Sequence, residues 1–432
     1  MKRWTLIALA AGVVACAAVL GASSAGLAAP SGTKSSKSVT LVWWHNANQG
    51  AGKALWDQVA KEFHAAHPDV TVKPVPFQNE VLQNTRIPIA LASNNPPDVF
   101  QEWGGGALVG EVKAKKVANI SKYTASWIKT IGGSAAGWQV NGQQYAVPYS
   151  VGVVGFWYNK TLFKQAGITS TPTTWPQFTA AVNKLKAANI TPISVGGKDR
   201  WPDAFYWDYL ATKLCSKSTM QQSAVTYNFK DGCWLKAGQY VQQLLDAKPF
   251  QNGFLATPAQ QVATSSAGLL ANGKVAMELQ GHWNAGVMQP LTPDNKVPSF
   301  LGWFPFPNVP GSKATPGSLL GGGDGFACSV KAPQPQCAQF LAYIDSPGVQ
   351  KRIGSTSFGL PVRKGTETSV TDPNLRTVLK ARSGSPFIQL YLDIAFSRSI
   401  GQALDAATAD QFAGKATPAQ VVSRIADAAK KK

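Results

Sequence analysis

Residues 39–76 constrain the fold more than any other stretch. VTLVWW at 39–44 is a nearly unbroken run of β-branched and aromatic residues, as expected of a strand covered on both faces of a parallel sheet. After Gly50 and Gly52, residues Leu55, Val59, Phe63 and Ala66 fall on one face of a helical repeat. Pro68 stops that helix, and Val70 and Val72 open a second strand that ends near Phe77. Strand, helix and strand in this order make a βαβ unit, so the expected fold class is α/β.

The rest of the chain extends that pattern. In TPTTWPQF, Thr174 can cap a helix, with Gln177 completing a capping box and Pro176 in the first turn. Phe178, Ala181, Val182 and Leu185 form its buried stripe, and TPISV at 191–195 reads as the returning strand. Helical spacing recurs at 236–247, 334–345, 399–412 and 417–430. With 432 residues, the chain is long enough for two or three domains at roughly 150 residues each.

The N-terminus reads as an address. Lys2 and Arg3 precede an apolar run from Trp4 to Leu20, and small residues follow in GASSAGLAAP. Residues 1–28 are therefore expected to be a signal peptide, cleaved after Ala28 or Ala29, and residues 29–37 a polar linker. VVAC resembles a lipobox, which makes Cys16 a candidate lipid anchor, although apolar AAVL follows it where a polar tether is usual. Cys16 aside, four cysteines remain: Cys215, Cys233, Cys328 and Cys337. An even set in an exported chain favours disulfides, and pairing 215–233 and 328–337 would stabilise by about 3 kcal/mol each. Four buried free thiols are the alternative.

Several functions lack their residues. The sequence has no GxSxG, HExxH, GxGxxG or GxxxxGK[ST]. His64 and His67 lie three apart without a third ligand, so a solvated helix face explains them and no metal or cofactor is expected. Asp199 with Asp203, or Glu102 with Glu278, could be drawn as a glycosidase pair, but on spacing alone. There are 41 Lys and Arg against 22 Asp and Glu, yet the dense basic run is confined to Lys430–Lys432, so no nucleic-acid face is expected.

The chain does hold 14 Trp, and many of them stand beside polar residues at expected strand ends and turns. Trp43 and Trp44 precede His45 and Asn46. Trp103 follows Glu102 and opens Gly104–Gly106. Asp199 and Arg200 lead into Trp201, with Phe205, Tyr206 and Trp207 beyond. His282 and Trp283 follow Gln280, and Asp324 follows Gly321–Gly323. A pyranose offers C–H faces that stack on indole and a hydroxyl rim that needs side chains able to donate and accept. Glycines at strand ends would let backbone approach such a ligand.

Four blocks, PPDVFQEWGGG (96–106), YAVPYSVGVVGFWYNKTLFKQAGI (145–168), TPTTWPQF (171–178) and NGKVAMELQGHW (272–283), resemble the extracellular solute-binding proteins, family 1, of carbohydrate ABC importers. WGGG and SVGGKDRW are most similar to the branch that binds xylo- and related oligosaccharides. The resemblance implies a two-lobed periplasmic-binding-protein-like (type II) α/β fold with a hinge, crossed near Val147–Gly152, Val275–Gly281 and Gly321–Phe326. On that reading residues 38–148 plus 280–322 form the first lobe and 150–275 plus 326–432 the second.

It further implies a monomeric, extracytoplasmic receptor that catalyses nothing, carries no cofactor and delivers an oligosaccharide ligand to ABC permease subunits in the membrane. Trp44, His45, Asn46, Gln78, Asn79, Glu102 and Trp103 would line the first-lobe wall. Asp199, Trp201 and Trp207 would face them, with Gln280, His282, Trp283 and Asp324 near the crossings. The four cysteines are no part of the family pattern. A secreted glycoside hydrolase or lyase is the competing expectation.

Overall fold

A computed structural model describes residues 38–431; the expected signal peptide, Cys16 and the linker at 29–37 lie outside the described residues. The βαβ unit opens the first sheet. Strand β1 (Val39–His45) pairs in parallel with β2 (Val70–Pro76), residue for residue from Val39 opposite Val70 to His45 opposite Pro76. Helix α1 (Gly50–Ala66) crosses between them and buries Leu55, Trp56, Val59, Ala60 and Phe63. Strand β3 (Val99–Glu102) lies on the other edge of β1.

The chain then runs through β4 (Ala146–Val153) and, after the single residue Val154, enters β5 (Gly155–Asn159), which belongs to a second sheet. Helix α2 (Trp175–Ala187) carries the capping box expected from Thr174 and Gln177. The short β6 (Ile193–Ser194) leads to α3 (Trp201–Leu214) and α4 (Gly232–Asp246). Strand β7 (Met277–Gln280) pairs with β5 and β6, and β8 (Leu301–Phe304) pairs with the other edge of β5. The second sheet is thus ordered β8-β5-β7-β6.

Strand β9 (Leu319–Cys328) returns the chain to the first sheet. It runs antiparallel to β3 and β4, and parallel to β10 (Ile388–Leu390). Helix α5 (Gln334–Ile344) lays Phe340 and Leu341 against Trp43 and Phe63 in the core of the first lobe. Helices α6 (Arg398–Phe412) and α7 (Pro418–Lys430) cover α3 and α4 in the second.

This allocation corrects the expected lobes after Gln280. Residues 301–304 hydrogen-bond to β5, so the 280–322 segment contributes to the second sheet. Residues 334–362 pack with β1, so the start of the 326–432 segment belongs with the first. The cause lies in β9: it re-enters the first sheet at Leu319 and leaves it only at Cys328.

Two disulfides tie local corners. Cys215 at the end of α3 is bonded to Cys233 in the first turn of α4, and Cys328 at the end of β9 to Cys337 in α5. Among the described residues no helix is long and apolar enough to cross a membrane.

Candidate functional site

A cavity of about 130 Å³ opens between the ends of the two sheets. Loops after β1 and β2 supply one wall in amides. Asn46 donates from Nδ2 to Asn79 Oδ1 at 3.0 Å, and Asn48, Gln49 and Gln83 complete this side. Asp324 closes the floor. The register of β9 against β4 shifts between Asp324 and Gly325, so Tyr149 is left over on β4 and the ladder bends beside the cavity. Asp324 Oδ1 accepts 2.8 Å from Gln101 Nε2. Burial pushes its carboxyl up to about 6, against the donors Asn46, Trp103 and Gln101 that stabilise the charged form.

The facing wall is aromatic. Trp201 opens α3 and Phe205 follows one turn later on the same helix face, their rings 5.1 Å apart. Trp283 lies 6.3 Å from Trp201 and 6.5 Å from Phe205, and Tyr391 lies 5.3 Å from Phe205 and 6.1 Å from Trp283. Gly322 is required here, because a Cβ on it would stand 2.5 Å from the Tyr391 ring. Trp103 comes from the amide side, so rings also border the cavity there.

Two hydrogen bonds bridge the walls: Asn48 Nδ2 donates to Gln261 Oε1 at 2.8 Å, and Trp201 Nε1 to Glu80 Oε1 at 3.2 Å. Among the described residues, none that lines the cavity is Lys, Arg or His.

Six of the fourteen expected residues meet in this lining: Asn46, Asn79, Trp103, Trp201, Trp283 and Asp324. The others do not. His45 is fully buried on the same face of β1 as Trp43, its ring 4.7 Å away. Burial holds its imidazole down at about 3, hence neutral. Trp44, on the opposite face, packs on Phe77 at 5.1 Å, and Gln78 is exposed at the start of the next helical turn, where its carbonyl accepts from Leu82 N at 2.9 Å.

Trp207 lies about a third of a helix turn around from Trp201 and stacks on Trp234 at 5.5 Å in the core. Gln280 is buried in β7, and His282 is buried against Ser150, sharing a 2.9 Å hydrogen bond through Nε2. Burial lowers the His282 imidazole to about 3 as well.

Two acids act behind the lining. Asp199 Oδ2 accepts from Ala259 N at 2.7 Å and so fixes the loop that carries Gln260 and Gln261. Its carboxyl is pushed up to about 6, first by burial and then by Glu80. Glu102 Oε1 accepts from the backbone of Trp103 at 3.0 Å and Gly104 at 2.9 Å, which orients the indole. The glycines after Trp103 approach backbone: a Cβ on Gly104 would stand 2.4 Å from the Gly137 carbonyl oxygen, one on Gly105 2.6 Å from that of Ile394, and one on Gly106 2.4 Å from that of Phe396.

Phe205 was within reach of sequence reasoning, four residues after Trp201 on one helix. Tyr391, Gln261 and Asp393 arrive from distant segments with no local pattern to announce them.

Residues 46–351 match the model of the bacterial extracellular solute-binding protein family. The chain belongs to this family. A relative in Pyrococcus horikoshii, described as an uncharacterized ABC transporter extracellular-binding protein, is 25% identical over 427 residues, covering 94% of this chain and 90% of the relative. The multiple sugar-binding protein of Streptococcus mutans is 27% identical over 383 residues, covering 82% and 83%. A solved structure from work on xylan utilisation by Caldanaerobius polysaccharolyticus superposes with a TM-score of 0.81 at 23% identity, covering 90% of this chain and 99% of the other. That structure shares the two-lobed solute-binding fold.

Proposed function

We propose that this solute-binding protein captures an oligosaccharide in its inter-lobe cleft outside the cell. It then hands the sugar, unchanged, to the membrane permease of an ABC importer. One observation carries the reading: the cleft opposes a wall of four aromatic rings to a wall of amides. Rings stack on the apolar faces of a pyranose, and amides both donate to and accept from its hydroxyls. The likeness to the multiple sugar-binding protein supports the same class of ligand.

The site on this reading is Asn46, Asn79, Trp103, Trp201, Trp283 and Asp324, joined by Phe205 and Tyr391. Sugar bridging the two walls stabilises the closed arrangement, and that arrangement is what the permease reads. The receptor works as an exported monomer, by way of the segment at 1–28 and with Cys16 as a candidate anchor, and needs no cofactor.

The test is a thermal-shift panel of mono- and oligosaccharides. A binding sugar raises Tm in step with the logarithm of its concentration over Kd. Trp201→Ala and Trp283→Ala should abolish the shift; an unchanged response in both overturns the site. Release of shorter sugars on prolonged incubation, above a heat-killed control, would overturn the receptor reading in favour of a hydrolase or lyase.

A further inference from the structure

The acids and bases of this chain divide unequally between core and surface. Glu102, Glu111, Asp203, Asp208, Glu278 and Asp345 are buried, whereas Lys213 is the one Lys or Arg buried among the described residues. An excess of 41 bases over 22 acids is thus larger at the surface than in the composition.

Folding gathers part of that excess at the end of the first lobe farthest from the cleft. The helix Gly105–Lys113 starts close to Trp103 at the cavity and ends about 13 Å away in the turn Lys113, Ala114, Lys115, Lys116. Strand β9 runs the same way, from Asp324 on the cavity floor to Cys328, opposite the first residue of β3. Beyond it Val117 bridges Ser329, and Val330 N donates to the Lys116 carbonyl at 3.1 Å, so Lys331 stands beside the lysine turn. The Cys328–Cys337 disulfide closes the loop that carries Lys331.

Lys113, Lys115 and Lys331 are exposed and Lys116 partly so. None of the four ammonium groups has an ion-pair or hydrogen-bond partner among the described residues. The acids of the same segments turn inward: Glu111 pairs with Arg398 at 2.9 Å, and Asp98 Oδ2 accepts from Val42 N at 2.8 Å. Asp69 is exposed at that end of the sheet, but before β2, two strands away from β3. Lys115 has a left-handed φ of 55° just after the C-cap Ala114, a position where glycine is the favoured residue. Local backbone geometry therefore gives no reason for a lysine there.

All four cations are Lys, which act as point charges and lack the fork with which Arg grips one phosphate. Such a group reads charge density along a polymer, and the counterions that a polyanion releases drive the binding. On the receptor reading the cleft faces the permease, so this opposite end faces away from the membrane. We propose that Lys113, Lys115, Lys116 and Lys331 form a docking face for a polyanionic, phosphate-rich polymer of the cell envelope, which holds the receptor with its cleft turned to the membrane. The choice of a polymer over the membrane rests on the receptor reading; the face itself does not.

Binding of the protein to long-chain inorganic polyphosphate, followed between about 50 and 200 mM salt, tests it. Changing all four lysines to Gln should weaken binding at least about tenfold. It should also flatten the slope of log K against log salt by about 3, at roughly 0.7 per lost contact. A control variant loses the same charge from exposed second-lobe positions, Lys160, Lys164, Lys236 and Lys274, and should stay within about threefold of the parent. Lys115→Gly relieves the left-handed backbone, so it should keep or raise Tm while weakening polyphosphate binding about twofold; it decides if the quadruple variant fails to fold. Equal losses in the two quadruple variants make the attraction a property of net charge alone and overturn the docking face. Absence of polyphosphate binding at about 150 mM salt overturns it too. Phosphatidylglycerol vesicles held as tightly as polyphosphate, with the same loss in the variant, overturn the polymer in favour of a membrane. The Lys-to-Gln variant should keep the parent's thermal shift with sugar. Polyphosphate binding that depends on the four lysines, in a protein that no saccharide stabilises, supports the face and refutes the sugar reading.

Discussion

Replacing Glu278 by Gln should change how stability depends on pH, with a sign and a ceiling set by the structure. Glu278 lies in β7, 1% exposed, its Oε1 accepting 2.6 Å from Ser266 Oγ and its Oε2 accepting 2.8 Å from Asn284 Nδ2. Burial outweighs both donors and pushes the carboxyl from an ordinary 4.5 up to about 8. The folded protein therefore keeps a proton that the unfolded chain releases at lower pH. The stability tied to that proton is fully present below about pH 4.5 and is lost as pH rises towards 8.

One proton is the limit, so the slope attributable to Glu278 cannot exceed about 1.4 kcal/mol per pH unit. Gln does not titrate. Its amide oxygen can still accept from Ser266, and its amide N–H₂ can meet Asn284 Oδ1, which is buried without a partner. Glu278→Gln should match the parent near pH 5 and gain on it steadily up to pH 8. Urea unfolding at pH 5, 6, 7 and 8, with equal m-values as the condition for comparison, measures the gap. Every other carboxyl titrates alike in both proteins, so the difference belongs to this residue. Parallel curves, or a gap that narrows with pH, would refute the reasoning.

Three further outcomes follow from packing. Trp207→Ala removes a fully buried indole stacked on Trp234 and should cost about 3–5 kcal/mol while leaving sugar affinity intact; calorimetry and thermal melts separate the two, and lost binding with an unchanged Tm would contradict the core assignment. Gly106→Ala drives a Cβ to 2.4 Å from the Phe396 carbonyl oxygen and should destabilise by about 1–3 kcal/mol, whereas Gly110→Ala in the same helix meets nothing within 4 Å and should be neutral or slightly stabilising; equal melts for the two would sink the argument. Replacing Cys328 and Cys337 together by Ser opens a loop of sequence separation 9 and should cost about 3 kcal/mol, read as a lower urea midpoint.

Much of this architecture was legible in local patterns. The unbroken run at 39–44, the stripe of α1 and the Thr174–Gln177 box each report a single element, and each element is found where its spacing puts it, although Ala66 at the end of the α1 stripe is exposed. The lobe allocation was not legible, because it depends on which strand β8 and β9 choose as partner, and that choice is made by residues more than a hundred positions away. The glycines at 104–106 misled for a related reason. Glycine reports that something comes close without reporting what, and here it is the backbone at Gly137 and at 394–396 rather than a ligand.

The site divides along the same line. Motif resemblance selected the correct elements, yet it named neighbouring residues together where periodicity separates them. On a strand, His45 must share the face of Trp43 and cannot share that of Trp44, so a core indole two residues back places the imidazole in the core. On a helix, Trp201 and Phe205 share a face and Trp207 does not, so the same α3 gives the cleft two rings and the core a third. Tyr391 and Gln261 escape any such reading, since they reach the cleft from distant segments. A residue run carried over from a motif identifies the right piece of backbone; the period of that piece then decides which side chains can reach the ligand.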